Sequence, residues 1–164
     1  MNRTFKATAA ALMLAVSFAG SAGAGPFEDA AAAYRKGDYA TALALIRPLA
    51  EESNVAAQFN LGVMYQLSHG VPQDNEAAVS WYRKAAEQGL AQAQYNLGVM
   101  YANGEGVAQD YAAAHMWFNL AAASRNKNAV KARDIVAAQL TPAQIAEAQK
   151  LAREWRPTST SAPP

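Results

Sequence analysis

The ten residues AAQFNLGVMY at 56–65 return almost unchanged as QAQYNLGVMY at 92–101. The same 36-residue spacing relates GVPQD at 70–74 to GVAQD at 106–110, and AAVSWY at 77–82 to AAHMWF at 113–118. A fixed period of this length is typical of stacked supersecondary units, which bury their apolar faces against one another. The chain is therefore predicted to be a repeat protein.

The composition predicts an all-α chain. Of the 164 residues, 52% are hydrophobic, and many of these are alanine. Alanine has the highest helix propensity, whereas strands favour β-branched residues, and runs of Val, Ile and Thr are few here. The chain has no cysteine, which excludes disulfides, iron–sulfur clusters and cysteine nucleophiles. Its two histidines fall short of a usual zinc site, so no metal or cofactor is expected.

The first 24 residues have the features of a cleaved signal peptide. Arg3 and Lys6 form a basic start, residues 9–19 are apolar, and the small residues 22–24 suit a signal peptidase that cuts before Gly25. The apolar run is too short to predict a membrane span. We therefore expect a soluble, exported product that is located in the periplasm and has no integral membrane segment after cleavage.

Removing this segment changes the net charge. The full chain has 14 basic and 13 acidic residues, and loss of Arg3 and Lys6 leaves 12 against 13, a net charge of −1. Proteins that bind nucleic acid usually carry a basic patch that neutralises phosphates. A nucleic-acid partner is therefore not expected.

Apolar periodicity and capping residues predict a series of helices in four units, 27–52, 55–90, 91–126 and 127–155. Gly62 and Gly98 lie in mid-helix, where glycine is costly, and therefore predict close contacts between helices. The last unit lacks the Leu-Gly pattern, since Arg133-Asp134 stands where Leu97-Gly98 does, and is predicted to be a capping helix pair. The tail 156–164 is too polar to pack and is predicted to be disordered. The predicted helices span 27–36, a second helix through Leu49, 55–66, 75–88, 91–102, 111–124, 127–140 and 142–155, with caps at Asp38, Asn54, Asp74, Asp110, Asn126 and Thr141.

The repeat motif, Ala-x-x-x-Leu-Gly-x-x-Tyr followed by Gly-Val-x-x-Asp and Ala-x-x-Trp-Tyr-x-x-Ala-Ala, resembles the Sel1-like repeat, a relative of the tetratricopeptide repeat. The resemblance covers 55–125, and 27–52 resembles a tetratricopeptide-type unit. It implies a short right-handed α-solenoid of antiparallel helix pairs that acts as an adaptor for proteins or peptides. One departure is Ser68, which stands where the second repeat has Gly104, at a loop position expected to be left-handed.

In such a solenoid the first helix of each pair lines the concave groove. Asn60 and Asn96 fall where peptide-binding tetratricopeptide domains place an asparagine, because an amide can both donate to and accept from a ligand backbone. The alternative is that each amide bonds a neighbouring helix. The predicted partner-binding residues are Phe59, Asn60, Gln66, Gln92, Tyr95, Asn96 and Asn103.

Residues that could indicate an enzyme have simpler structural explanations. Trp81 and Trp117 have the helical spacing of inter-repeat core residues, and Trp155 lies in the last helical turn. Ser68 and His69 are adjacent in a loop, a geometry that rarely makes a nucleophile and base. His115 is expected to be a partly buried surface residue. No catalytic residue is predicted.

Three function classes stay open at this point. The first is an exported non-enzymatic interaction module that holds a protein segment in its groove. The second is an envelope assembly or regulatory factor that binds a sensor domain or a cell-wall glycan, and the third is a hydrolase or hydrolase inhibitor. The sequence leaves open the identity of the partner, the oligomeric state, and whether the groove or a terminal face is the binding surface.

Overall fold

A computed structural model describes residues 25–158, so the predicted signal peptide lies outside the described residues. Within this range the backbone forms helices and no strand, which confirms the all-α prediction. The helices are α1 (Pro26–Arg35), α2 (Tyr39–Glu51), α3 (Val55–Leu67), α4 (Asn75–Glu87), α5 (Ala91–Asn103), α6 (Tyr111–Ala123), α7 (Lys127–Ala137) and α8 (Pro142–Glu154).

The predicted caps explain where six of these helices begin. At each start the cap side chain accepts a hydrogen bond from a backbone N–H of the first turn, which would otherwise lack a partner. The caps are Asp38, Asn54, Asp74, Asp110, Asn126 and Thr141. The end of α7 differs from the prediction, because this helix stops at Ala137 rather than Leu140.

From α1 to α7, each helix packs against the next one in the chain. Three helix pairs, α1 with α2, α3 with α4 and α5 with α6, thus form a short α-solenoid. Four buried clusters fill the interior, and each cluster combines residues of neighbouring helices. The core is therefore distributed along the array instead of being gathered at one centre.

The two mid-helix glycines mark the closest helix contacts, as predicted. A Cβ atom on Gly62 would lie 2.7 Å from the Tyr82 ring, and one on Gly98 would lie 2.7 Å from the Phe118 ring. Both distances are far below van der Waals contact, so a larger side chain would push the helices apart. These glycines let α4 pack onto α3 and α6 onto α5.

The repeated Gly-Val loops join one unit to the preceding one. Gly70 packs against the backbone of Tyr39, the first residue of α2, and Gly106 packs against the backbone of Asn75, the first residue of α4. Both glycines have positive φ angles of 77° and 65°. A side chain here would meet both backbone strain and a backbone clash. The 36-residue motif therefore contains its own inter-repeat contact.

The last two helices do not form a pair like the others, which corrects the predicted capping helix pair. α8 packs on α6 and makes at most marginal contact with α7. Asp134 stands at the position of Gly98, and Arg133 forms an ion pair with Asp134 at 2.9 Å. Because any side chain at that position blocks the close approach of a helix, α7 cannot receive α8 as α5 receives α6.

The start of the tail also differs from the prediction of disorder over 156–164. The backbone N–H of Thr158 donates to the Glu87 carbonyl oxygen at 2.8 Å, at the end of α4. Trp155 and Pro157 approach Gly89, which follows α4. The C-terminal segment up to Thr158 therefore reaches back from α6 to α4, and residues 159–164 lie outside the described residues.

Candidate functional site

Two of the seven predicted groove residues are buried, and for these the predicted accessibility is wrong. The Phe59 ring lies in the core with its centroid 5.7 Å from that of Tyr82. Asn60 is only 3% exposed. The helices next to α3 pack so closely against it that neither the Phe59 nor the Asn60 side chain can reach a ligand in this structure.

Gln66 and Asn96 meet at the hydroxyl group of Tyr82. This hydroxyl donates to Gln66 Oε1 at 2.7 Å and also hydrogen-bonds the Asn96 side chain. Burial raises the pKa of Tyr82, and the hydrogen bond from Asn96 acts in the opposite direction. Both amides thus link neighbouring helices, which is the alternative that the sequence left open for Asn96.

The remaining three predicted residues lie on α5 and are all half-buried. The Tyr95 ring packs 5.7 Å from that of Phe118, and burial raises the pKa of its hydroxyl. Asn103 donates from Nδ2 to Glu105 Oε1 at 2.9 Å. Together with Gln92, these side chains retain accessible surface. Apart from Gln66, the accessible part of the predicted groove is therefore on α5.

Two pairs of glutamines have structural roles that the sequence analysis missed. Gln58 Nε2 donates to the Ala50 carbonyl oxygen, and Gln94 Nε2 donates to that of Ala86, at 3.3 and 3.2 Å. These acceptors lie in the last turn of the preceding helix, where carbonyl groups lack helical partners. The sequence did contain a signal for this role, because glutamine recurs exactly at the 36-residue spacing at positions 58 and 94.

The second glutamine pair caps the C-terminal end of the first helix of each repeat. Gln73 Nε2 donates to the Gln66 carbonyl oxygen at 3.1 Å, and Gln109 Nε2 donates to that of Ala102 at 2.8 Å. The Gln-Asp dipeptide of the loop therefore caps two helices, with Gln at the end of one and Asp at the start of the next.

Ser68 and His69 point apart. Ser68 has the expected left-handed backbone, with φ at 60°, and its hydroxyl donates to the Val71 carbonyl oxygen. His69 Nδ1 lies 2.7 Å from the Tyr34 hydroxyl, and its ring stacks on Tyr39 with centroids 4.1 Å apart. The arrangement holds the first unit against the loop and does not form a nucleophile–base pair.

His115 is fully buried, so the predicted surface position is wrong. It is 2% exposed, and its Nδ1 atom has no hydrogen-bond partner among the described residues. Its pKa is lowered mainly by burial and further by the positive charge of Arg133, whereas Asp134 acts in the opposite direction. A buried histidine of this kind is neutral near pH 7.

The tryptophans pack as predicted in the repeats. Trp117 is buried in the cluster shared by the two repeats. Trp81 packs on the cluster of the first unit, and the Lys84 Nζ atom lies 3.9 Å from its ring centroid. Trp155 lies near Gly89. All three side chains therefore have packing partners within the chain.

Among residues 25–158, no three histidine or acidic side chains are grouped so that they could hold a metal ion. Within the same range, no helix is both long and apolar enough to cross a bilayer. Two open crevices of about 380 and 390 Å³ lie at the ends of α2 and α4 and between α6, α7 and α8, and neither includes a predicted groove residue.

Comparisons with known proteins agree with this architecture. The family model described as Sel1 repeat matches residues 55–90 and 91–126. A protective antigen present in uropathogenic Escherichia coli strains, displaying an SLR fold, is 35% identical, with a TM-score of 0.76 over 79% of this chain and 29% of that chain. A Sel1 repeat protein from Oxalobacter formigenes is 33% identical, with a TM-score of 0.63 over 65% of this chain and 44% of that chain.

This chain thus spans less than half the length of either solved relative. The comparison with curated proteins gave no match. The likeness to the two solved structures extends to regions outside the two matched repeats, since each covers more of the chain than residues 55–126.

Proposed function

Because this chain belongs to the Sel1-like repeat family, whose members are generally protein–protein interaction modules, we propose that it is an exported, non-enzymatic adaptor. Its binding surface is the α5 part of the concave face. A protein or peptide segment lies across this surface and contacts Gln92, Tyr95 and Asn103.

The observation that supports this proposal is the difference between α3 and α5. The groove residues Phe59 and Asn60 of α3 are buried, whereas their counterparts Tyr95 and Asn96 of α5 are only half-buried. Side chains that combine an aromatic or apolar body with a polar group suit the recognition of a peptide, because they both pack and hydrogen-bond.

Export is the second part of the proposal. Helix α1 begins at Pro26, so cleavage before Gly25 removes no residue of the first helix. Fractionation of cells that express the full chain should place it in the periplasm, with a mature N-terminus at Gly25. A cytoplasmic protein that retains residues 1–24 would refute export without bearing on the binding surface.

The groove is tested by a double variant that preserves the packing. Gln92→Ala with Tyr95→Phe removes polar groups but keeps the ring that packs on Phe118. Capture from periplasmic extract, with quantification of every bound protein, should show at least one partner of the wild type lost from this variant. The control is Ser80→Ala, an exposed residue on α4.

Unchanged recovery of all partners by a folded double variant would refute the groove. Circular dichroism melting of all three proteins supplies the check on folding. Turnover of a substrate that depends on His69 would instead refute the non-enzymatic part of the proposal.

A further inference from the structure

Helix α7 closes the array, and its outer face is the terminal face of the molecule. Val63, Val99 and Ile135 form a series at the 36-residue spacing. Val63 is 5% exposed and lies in a cluster with residues of α5, and Val99 is 3% exposed and lies in a cluster with residues of α7. Ile135 is 53% exposed. The position at which Val63 and Val99 pack against the next repeat is therefore exposed to solvent on α7.

No helix of the described chain covers this position. α8 packs on α6 instead, and Asp134 prevents a helix from approaching α7 in the way that α6 approaches α5. Within residues 25–158, the exposed large hydrophobic residues are Val130, Ile135 and Leu151, all on α7 and α8. These three exposed side chains thus lie on the last two helices, and Ile135 is the most exposed of them.

The charges around Ile135 indicate the chemistry of its partner. Lys127 and Lys131 precede it by eight and four residues and share its side of the helix. Both are exposed, and neither forms an ion pair within the described residues. Residues 125–158 contain seven basic and three acidic residues, whereas residues 25–124 contain five basic and ten acidic residues. Within α7 the basic residues are Lys127, Lys131 and Arg133 and the acidic residue is Asp134, so the terminal face lies at the basic end of the molecule.

We propose that this face, defined by Lys127, Lys131 and Ile135, docks an amphipathic α-helix of another protein. The apolar side of that helix covers Ile135, as α7 covers Val99, and its acidic side chains face the two lysines. The site is separate from the proposed groove on α5 and extends the array by one helix supplied by the partner.

A second copy of this chain fits the face poorly. Two α7 faces packed together would bring two basic surfaces into contact, which is unfavourable. A head-to-tail contact would present α1 and α2, whose exposed residues include no large hydrophobic side chain to cover Ile135. The charge and the apolar pattern both favour a partner with an acidic helix.

The first test is photo-crosslinking in cells that express the full chain with p-benzoylphenylalanine at position 135. The control places the same probe at position 151, on the exposed side of α8. We expect crosslinks specific to position 135, mapped by mass spectrometry to an acidic amphipathic helix of another protein. Crosslinks to a second copy, to a segment without acidic residues, or equally from both positions would overturn the proposal, as would the absence of any crosslink.

The second test uses the mapped segment as a synthetic peptide and measures its affinity by fluorescence anisotropy. Ile135→Asp and Lys131→Glu should each weaken binding about tenfold, because one removes the apolar contact and the other reverses a complementary charge. Leu151→Asp and Lys36→Glu are the matched controls and should leave the affinity unchanged. Added salt should also weaken binding.

Equal affinity of Ile135→Asp and wild type would refute the docking face. All variants alter exposed residues, and matching melting curves verify that they fold. Gln92→Ala with Tyr95→Phe should bind this peptide normally, so failure of the groove and failure of the terminal face are distinguishable.

Discussion

The junction that follows the first repeat is polar at its centre, whereas the equivalent junction one repeat later is apolar. The first junction contains Gln66, Tyr82 and Asn96, which are joined by hydrogen bonds at the Tyr82 hydroxyl. A shift of 36 residues replaces all three, and the resulting set is Ala102, Phe118 and Ala132, which lie in one buried cluster.

This difference shows that the three positions act as a set. A buried hydroxyl needs hydrogen-bonding partners, and amide groups that face a core need a partner in turn. Neither the complete polar set nor the complete apolar set leaves a polar group without a hydrogen-bonding partner. A mixture of the two sets does. The packing contact beneath them, between glycine and an aromatic ring, is the same at both junctions.

The largest expected effect on stability comes from the contact between a glycine and an aromatic ring, which both junctions share. Gly62→Val and Gly98→Val should each lower the free energy of unfolding by about 3 kcal/mol, because the new side chain would overlap the aromatic ring of the next helix. Urea denaturation measures the change. Ala44→Val on the exposed side of α2 is the control for helix propensity and should cost about 0.5 kcal/mol. A large difference between the two glycine variants would contradict the equivalence of the junctions.

The next effect comes from a hydroxyl placed at the apolar junction. Phe118→Tyr should lower the free energy of unfolding by about 2 kcal/mol, because Ala102 and Ala132 offer no hydrogen-bonding side chain. Adding Ala102→Gln to this variant should restore about 1 kcal/mol. Urea denaturation of the single and double variants tests both statements, and a Phe118→Tyr protein as stable as wild type would refute the need for a matched set.

The reverse change should have a smaller effect. Tyr82→Phe should lower the free energy of unfolding by about 1 kcal/mol, because Gln66 and Asn96 are only half-buried and water can partly replace the lost bond. Changing both amides to alanine in addition should cost less than the sum of the single changes. Strict additivity in this mutant cycle would show that the three residues do not interact.

The smallest effect concerns the pH dependence of stability. His115 stands where the first repeat has Val79, and burial lowers its pKa in the folded state below the ordinary 6.5. As the pH falls below about 6.5, the unfolded chain binds a proton more readily than the folded one, so stability decreases. His115→Val should therefore lose less stability than wild type between neutral and mildly acidic pH. Denaturant titrations across this range compare the two, and parallel profiles would contradict a lowered pKa.

The sequence was sufficient for the parts of the fold that depend on local interactions. Side chains such as Asp74 and Asp110 cap helices through contacts within three residues. The Gly62 and Gly98 contacts could also be predicted, since mid-helix glycine is unfavourable unless a neighbour requires it. The family resemblance added the pairing of helices into a solenoid.

Features that depend on the curvature of the array could not be predicted. The spacing of 36 residues identifies equivalent positions but does not show how closely successive helices approach, so the burial of Asn60 was missed. The position of α8 depends on which surface competes best for its apolar face. Asp134 prevents α8 from packing closely on α7, but only the three-dimensional arrangement shows that α8 packs on α6 instead.

The return of the C-terminal segment to α4 has a consequence for the cooperativity of unfolding. In an array with contacts only between neighbours, a terminal unit can open while the rest stays folded. Here the segment from α8 to Thr158 contacts both α6 and the end of α4, which belong to different repeats. Unfolding of either repeat therefore breaks contacts of the same C-terminal segment. The two repeats should exchange their amide hydrogens as one unit, with α1 exchanging first.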